Sequence, residues 1–393
     1  MTNSFYDVAI VGGGPAGALL ARQLAKSRRR VLLLEANETP KRKICGEYLC
    51  PKAMELLKEL GLAKSIRGRS VKGMRLFSPN GIEVDSLFPG NTCGMAIPRD
   101  RLDPMLLDAA REMGAEIKLG SRLEGFAYFG GIWALKCGTE TFRARVLIGA
   151  DGRQSFVART LGVQIPAKEK QKKRVALHFF AHSEKETAEM GEMHILKDGS
   201  YVGISPTGKN ELNASLVCDA DKAKAGGEKA LHHLMAQSKI LRERFLPLPA
   251  SARVAVAFPI THEVRAFVGP SWALVGDAAG FLDPLTGEGI FQALHSADLL
   301  ARRLIEAFDG ASLATCLSSY ASDHHEAFRP KKNVNRLFQT LIRHPATCDW
   351  VGKRMRANPA RANAFIGIIG NVYSPGEGFK QILFPSASRK SAH

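Results

Sequence analysis

Tyr6-Asp7-Val8-Ala9-Ile10-Val11-Gly12-Gly13-Gly14-Pro15-Ala16-Gly17 opens the stretch that decides the fold, and Val31-Leu32-Leu33-Leu34-Glu35 closes it. The apolar run 6–11 reads as a buried strand, the glycines as a tight turn and 18–26 as a helix, with Leu19, Leu20, Gln23 and Leu24 at helical spacing. Residues 31–35 form a second strand, so the unit is a strand–turn–helix–strand crossover. In GxGxxG, Gly12 makes the turn, Gly14 lets backbone approach a pyrophosphate, and Gly17 lets helix and strand pack closely. The helix that follows the turn directs its N-terminal N–H groups at phosphates. Glu35 ends the second strand, where a carboxylate accepts hydrogen bonds from ribose hydroxyls and disfavours a 2′-phosphate. On this motif alone NAD and FAD both fit.

Two further segments end buried runs. Gly149-Ala150-Asp151-Gly152-Arg153-Gln154-Ser155 follows the apolar run 145–150; taken alone, Asp-Gly there is an ordinary turn. Val275-Gly276-Asp277-Ala278-Ala279-Gly280 delivers an Asp at a strand's carboxyl end, where open α/β sheets bind ligands. It leads into Asp283-Pro284-Leu285-Thr286-Gly287-Glu288-Gly289-Ile290, a glycine-rich start to a helix able to stabilise negative charge.

Between these segments the texture changes. Helices are expected over 51–60 and 104–113, and short strands over 74–97, broken by Pro79-Asn80-Gly81. From about 170 to 260, short alternating runs read as an antiparallel sheet, preceded by a basic surface loop over 168–174 and interrupted by helical pattern over 226–245. Residues 331–393 read as helical, broken by Pro345 and Pro359, with Val334, Leu337, Phe338 and Leu341 on one face. The expected fold class is α/β: a Rossmann-like dinucleotide domain (1–75, 97–165 and 265–330), interrupted by a substrate-binding sheet domain (76–96 and 166–264), with a helical C-terminal segment (331–393).

Composition narrows the class. The 393 residues are 45% hydrophobic and 24% charged, as in a globular enzyme with a full core. Lys plus Arg number 55 against 38 Asp plus Glu, a net charge of +17 that favours anionic partners: a dinucleotide phosphate, an acyl carrier protein or the inner face of a membrane. The basic residues are scattered and form no nucleic-acid-binding pattern, so nucleic acid is set aside. Seven cysteines without a CxxC pair suggest a reducing, cytoplasmic compartment and no zinc site. Neither a signal peptide nor a membrane span is expected, since 364–369 is apolar but far too short.

GxGxxG near the start, GADGxxS in the middle and GDAAG…P…TGEGI late, in this order over about 5–330, resemble the flavoproteins with a p-hydroxybenzoate-hydroxylase-like fold. These include aromatic hydroxylases, flavin halogenases and geranylgeranyl reductases. The resemblance implies FAD, held by Gly12, Gly14, Pro15, Ala16, Gly17, Glu35, Asp151, Gly152, Gly276, Asp277, Pro284, Gly287, Glu288, Gly289 and Ile290. Within that set it puts Glu35 on the adenosine ribose, Asp277 on the ribityl or pyrophosphate region, and Gly287 and Gly289 by the isoalloxazine. Asp151 and Gly152 buttress the site. Arg99, in Pro98-Arg99-Asp100-Arg101-Leu102-Asp103, matches an arginine that touches FAD, with Arg101 as the alternative. Lys43-Ile44-Cys45-Gly46-Glu47-Tyr48-Leu49 and TGEGI resemble the geranylgeranyl-reductase-like branch, and the halogenase WxWxIP segment is missing.

The first reading of function is an NAD(P)H-using monooxygenase that hydroxylates a hydrophobic aromatic, polyketide or lipid-like substrate. The second is a reductase of carbon–carbon double bonds in an isoprenoid or lipid. A non-catalytic FAD-stabilised binding protein is a third. No protein nucleophile is required, because the flavin carries the chemistry. Cys45 and His178 are the catalytic candidates from sequence: Cys45 reads equally as a packing residue and His178 as a satisfied sheet histidine. The pairs His232-His233 and His324-His325 diverge by ~100° on a helix and make no metal site. The basic C-terminal segment reads as a lid over the cavity or as a docking surface.

Overall fold

Val8, Ala9 and Ile10 are fully buried because the strand Phe5–Val11 lies at the centre of a parallel sheet covered on both faces. The computed structural model describes residues 5–39, 42–166, 174–183, 186–248 and 253–385. Across the parallel core the strands run Trp272–Leu274, Glu140–Gly149, Phe5–Val11, Val31–Leu34, Glu116–Lys118. The edge strand Val268–Gly269 and the strands Gly125–Phe129 and Ile132–Cys137 complete this sheet in antiparallel sense. The helix Pro15–Lys26 is buried nearly all round, because it packs under the helices Arg99–Glu112 and Gly289–Phe308.

The second sheet has seven strands in the order Ala255–Ala257, Arg174–His182, Glu211–Asp219, Tyr201–Pro206, Met190–Ile195, Gly73–Phe77, Glu83–Leu87. Its alternation sorts the residues by face. Leu177, Phe179, Leu212 and Leu216 pack with the helices Gly227–Met235 and Lys239–Phe245 on the outer side. The inner face carries one continuous row, His178, Ser215, Gly203, Met193, Leu76, Val84, directly opposed from strand to strand.

Three expectations are corrected. The sheet is not wholly antiparallel, since Met190–Ile195 pairs in parallel with Gly73–Phe77, a long-range pairing that strand texture does not encode. The segment 76–96 does not enter it whole: its strands begin at Gly73, while Gly94–Ala96 joins Tyr48–Leu49 and Arg69–Val71 in a separate three-stranded sheet. The boundary at 331 falls inside the helix Leu313–Leu341, which runs through Pro330.

Pro345 and Pro359 start helices, Pro345–Ala357 and Pro359–Ile369, as suits a residue without an N–H. Val334 and Phe338 are buried and Leu341 is half-buried. Leu337 lies at the rim of that face and is 52% exposed. The basic loop expected over 168–174 and the chain after 385 lie outside the described residues, except Arg174, which starts a strand. Among the described residues no helix is long and apolar enough to cross a membrane, and no cluster of His, Cys, Asp and Glu is spaced for a metal.

Candidate functional site

The glycine turn leaves room that any side chain would close. Gly12 has φ +109°, and a Cβ there would stand 2.4 Å from the Ala150 carbonyl oxygen; at Gly17 it would stand 1.9 Å from the Gly12 carbonyl oxygen. At Gly14 only the Arg99 guanidinium comes within 4 Å, at 3.6 Å, so the space before the helix Pro15–Lys26 is open apart from that cation. Glu35 folds back on the turn. Its carboxylate accepts from the Gly13 N–H at 2.8 Å, the Asn37 N–H at 3.0 Å and the Asn37 side-chain amide at 2.6 Å. Burial raises its pKa, but these bonds and the Lys43 charge outweigh burial and hold it below the usual range. Beside it a small cleft, about 310 Å³ with its open mouth included, is lined by residues that include Gly13, Glu35, Asn37, Lys43 and Asp103. A fixed carboxylate with a lone pair to spare, a helix N-terminus and a nearby cation suit the ribose and phosphates of an adenine dinucleotide.

Arg99 grips Asp103 through two bonds, at 2.7 and 2.8 Å, and Lys43 reaches the same carboxylate at 3.2 Å. Arg101 is exposed and donates to the Arg67 carbonyl at 3.4 Å, so Arg99 is the arginine that faces the turn. Asp277 is half-buried at the end of the strand Trp272–Leu274. Burial pushes its carboxyl up to about 6, against the opposing charges of Arg99 and Arg153. Gly276, with φ +58°, brings this turn against Ala16 and Ala293. Asp151 accepts from the Val157 N–H at 3.0 Å in the first turn of the short helix Phe156–Thr160, which Ser155 caps by accepting from the Ala158 N–H at 2.9 Å, and Gly152, with φ +77°, makes the turn before it.

The raised pKa of Asp277 sets a sign for stability. A carboxyl that holds its proton more tightly when folded than when unfolded stabilises fully below the unfolded pKa. That contribution is lost as pH rises through about 6. Asp277→Asn removes the loss. The flavin-free variant is expected to melt a few degrees above the flavin-free wild type at about pH 7.5 and level with it at about pH 4. Equal melting at both pH values would show that Asp277 does not titrate there.

Gly287 adopts the left-handed conformation, φ +65°, just before the helix Gly289–Phe308. Pro284 begins the single turn before it, and Ile290 is buried in the core below. Glu288 turns away from the cradle: it accepts from Thr286 at 2.9 Å and pairs with Lys331 at 3.0 Å, and Asn371 donates to it as well. Its carboxylate therefore supports the turn by tying it to the C-terminal helices.

Cys45 is half-buried; burial raises its thiol above the usual range although Arg99 opposes this, so it is held as a neutral thiol. His178 bonds Ser215 at 2.8 Å and stands edge-on to Phe180. Burial, then Arg42, lowers its pKa to about 4, leaving a neutral imidazole on the inner face.

Sequence reasoning left out Glu47, Tyr48, Asn213 and Arg153. Glu47 is fully buried with φ +53° and accepts from the Arg99 N–H at 3.0 Å and from Asn213 at 2.9 Å, which also donates to the Cys45 carbonyl at 2.9 Å. This joins the two domains through one carboxylate. The sequence marked Glu47 only as part of the segment Lys43 to Leu49 and assigned it no role of its own.

On the far side of Gly287 a cavity of about 920 Å³, its open mouth included, is walled almost wholly by carbon. Met74, Leu76, Val84 and Met193 come from the inner sheet face, and Phe338 and Val351 from the C-terminal helices. Tyr48 and Gly287 form the wall toward the cradle.

A family model described as an FAD binding domain matches residues 5–334. A menaquinone reductase of Mycolicibacterium smegmatis is 30% identical over 315 residues, 76% of this chain and 76% of that protein. A digeranylgeranylglycerophospholipid reductase of Methanosarcina acetivorans is 27% identical over 323 residues, 79% of this chain and 77% of that protein. The solved structure of the flavin-dependent brominase Bmp2 superposes with a TM-score of 0.82 at 22% identity, covering 97% of each chain, which is a likeness of fold.

Proposed function

This chain belongs to the FAD binding domain family and is an FAD-dependent oxidoreductase of the p-hydroxybenzoate-hydroxylase-like superfamily, and we propose that it reduces a carbon–carbon double bond of a long apolar substrate at the expense of NAD(P)H. The observation that carries the substrate class is the carbon-walled cavity ending at Gly287, which suits a hydrocarbon chain. The relatives named as reductases of menaquinone and of a geranylgeranylated lipid favour reduction over the hydroxylation that the sequence put first.

Gly12, Gly14 and the helix N-terminus would hold the FAD pyrophosphate, Glu35 the adenosine ribose, and Arg99 and Asp277 the linking region. Held there, FAD would supply hydride-transfer chemistry between a nicotinamide and the substrate. The protein's part is position and dryness. The turn 284–287 is fixed by Asp283, which accepts from the Leu285 N–H at 3.0 Å, from Tyr201 at 2.5 Å and from Arg174 at 3.2 Å. The inner sheet row and the C-terminal helices then confine the chain of the substrate against that turn.

Hydroxylation of the same substrate class is the second reading, since a dry carbon wall serves oxygen chemistry as well. Product mass separates them. With NADPH or NADH and a menaquinone or geranylgeranyl lipid as substrate, a gain of two hydrogens is expected. A gain of one oxygen would replace the first reading by the second.

A further inference from the structure

The helix Pro345–Ala357 has two unlike sides. Cys348, Val351, Gly352 and Met355 line the cavity. Trp350, Lys353 and Arg354 stand about 180° round the helix from them and are exposed, Trp350 to 57%. The Arg354 guanidinium lies over the Trp350 ring, 4.9 Å from its centroid. Of the other two tryptophans, Trp133 is buried and Trp272 half-buried.

The charge around this helix is one-sided. Residues 331–385 carry nine Lys and Arg against two acidic residues. Both acids are engaged locally: Asp349 accepts from Ser78 and Asn80, and Glu377 closes the cap of the helix Pro375–Leu383 on Ser374. Lys331 and Arg343 are paired with Glu288 and Asp219. Arg336, Lys353, Arg354, Arg356 and Lys380 are exposed, and none forms a salt bridge among the described residues. The strand Glu83–Leu87, which packs on the helix, turns Val84 toward the cavity and its acids Glu83 and Asp85 to the other face, where Arg75 holds them.

We propose that the outer side of the helix Pro345–Ala357 docks this chain on an anionic lipid bilayer, with Trp350 in the headgroup layer and Lys353, Arg354 and the flanking Arg356 on lipid phosphates. An indole is amphipathic and settles at the membrane interface, while unpaired cations beside it are drawn to anionic headgroups. The apolar cavity behind the same helix favours lipid over an acidic protein as the partner, because a long apolar ligand resides in a bilayer. That choice rests on the reading of the cavity as the substrate site. Vesicle binding involves no turnover, so its failure is distinct from failure of that reading.

The test uses the flavin-loaded protein and sedimentation with vesicles of equal parts phosphatidylglycerol and phosphatidylcholine, or of phosphatidylcholine alone, at about 0.1 M salt. The wild type is expected to bind the anionic vesicles about a hundredfold more tightly. Lys353→Glu, Arg354→Glu and Arg356→Glu together should abolish that preference and leave the flavin in place. A control carries the same charge change at exposed positions of the FAD-binding domain, Arg122→Glu, Lys136→Glu and Arg143→Glu, and should keep it. Tryptophan emission should shift to shorter wavelength on anionic vesicles, and Trp350→Phe should remove the shift. Three results overturn the proposal: no preference for anionic vesicles, equal loss in the two triple variants, which would assign the attraction to net charge, or a shift that survives Trp350→Phe. Binding to poly-L-glutamate that is lost in the helix variant, without vesicle binding, would replace the bilayer by an acidic protein.

Discussion

Gly17→Ala is expected to purify without flavin and to bind added FAD at least a hundredfold more weakly than the wild type. The added methyl would stand 1.9 Å from the Gly12 carbonyl oxygen, which is backbone and cannot rotate away. Relief requires the helix Pro15–Lys26 to shift off the turn, which moves its N–H groups away from the place proposed for the FAD phosphates. Overpacking of this kind costs about 3 kcal/mol or more in stability, because the helix is clamped by the helices Arg99–Glu112 and Gly289–Phe308 on its far side. Gly376→Ala is the control: it is exposed, nothing lies within 4 Å of its added Cβ, and it should retain full flavin. The ratio of flavin to protein absorption after reconstitution gives the answer. A Gly17→Ala protein that keeps its flavin would mean that the turn does not hold the pyrophosphate.

Lys331→Met should destabilise the chain by about 3–5 kcal/mol, the usual cost of stranding one member of a buried ion pair. Glu288 is 3% exposed and Lys331 9%, and they meet at 3.0 Å between the turn before the helix Gly289–Phe308 and the long helix Leu313–Leu341. Lys331 also donates to the Ile368 carbonyl, so its loss loosens the helix Pro359–Ile369 at the same time. Glu288→Gln combined with Lys331→Met removes both charges, and this double variant should regain most of the stability. Denaturant midpoints for the single and double variants check this. A single variant within about 1 kcal/mol of the wild type would show that Glu288 finds another partner or is not charged.

The cofactor cradle was legible because its chemistry is local. Gly12, Gly14, Gly17 and Glu35 lie within one crossover, and each residue type is dictated by a backbone conformation or close approach that the sequence spells out. Asp277 and Gly287 were legible for the same reason, standing at the ends of recognisable strands and turns. The links between segments were not. Asn213 reaches Glu47 across the domain boundary, and Lys331 reaches Glu288 from a helix whose continuity through Pro330 the sequence argues against. Glu288 was grouped with the cofactor residues, yet its carboxylate is spent on protein partners. Tyr48 sits in a two-residue strand, too short for any periodicity, and only the folded chain places its ring in the cavity wall. The C-terminal helices read as a lid or a docking surface; three-dimensional packing puts Phe338 and Val351 in the cavity wall itself.

The most direct test of the account is a titration of the flavin-free protein with FAD, followed by NADPH or NADH under anaerobic conditions. The account predicts one FAD bound per chain, with the visible flavin absorption bleached on addition of the nucleotide. A chain that binds no FAD, or whose bound FAD neither nucleotide reduces, would contradict it.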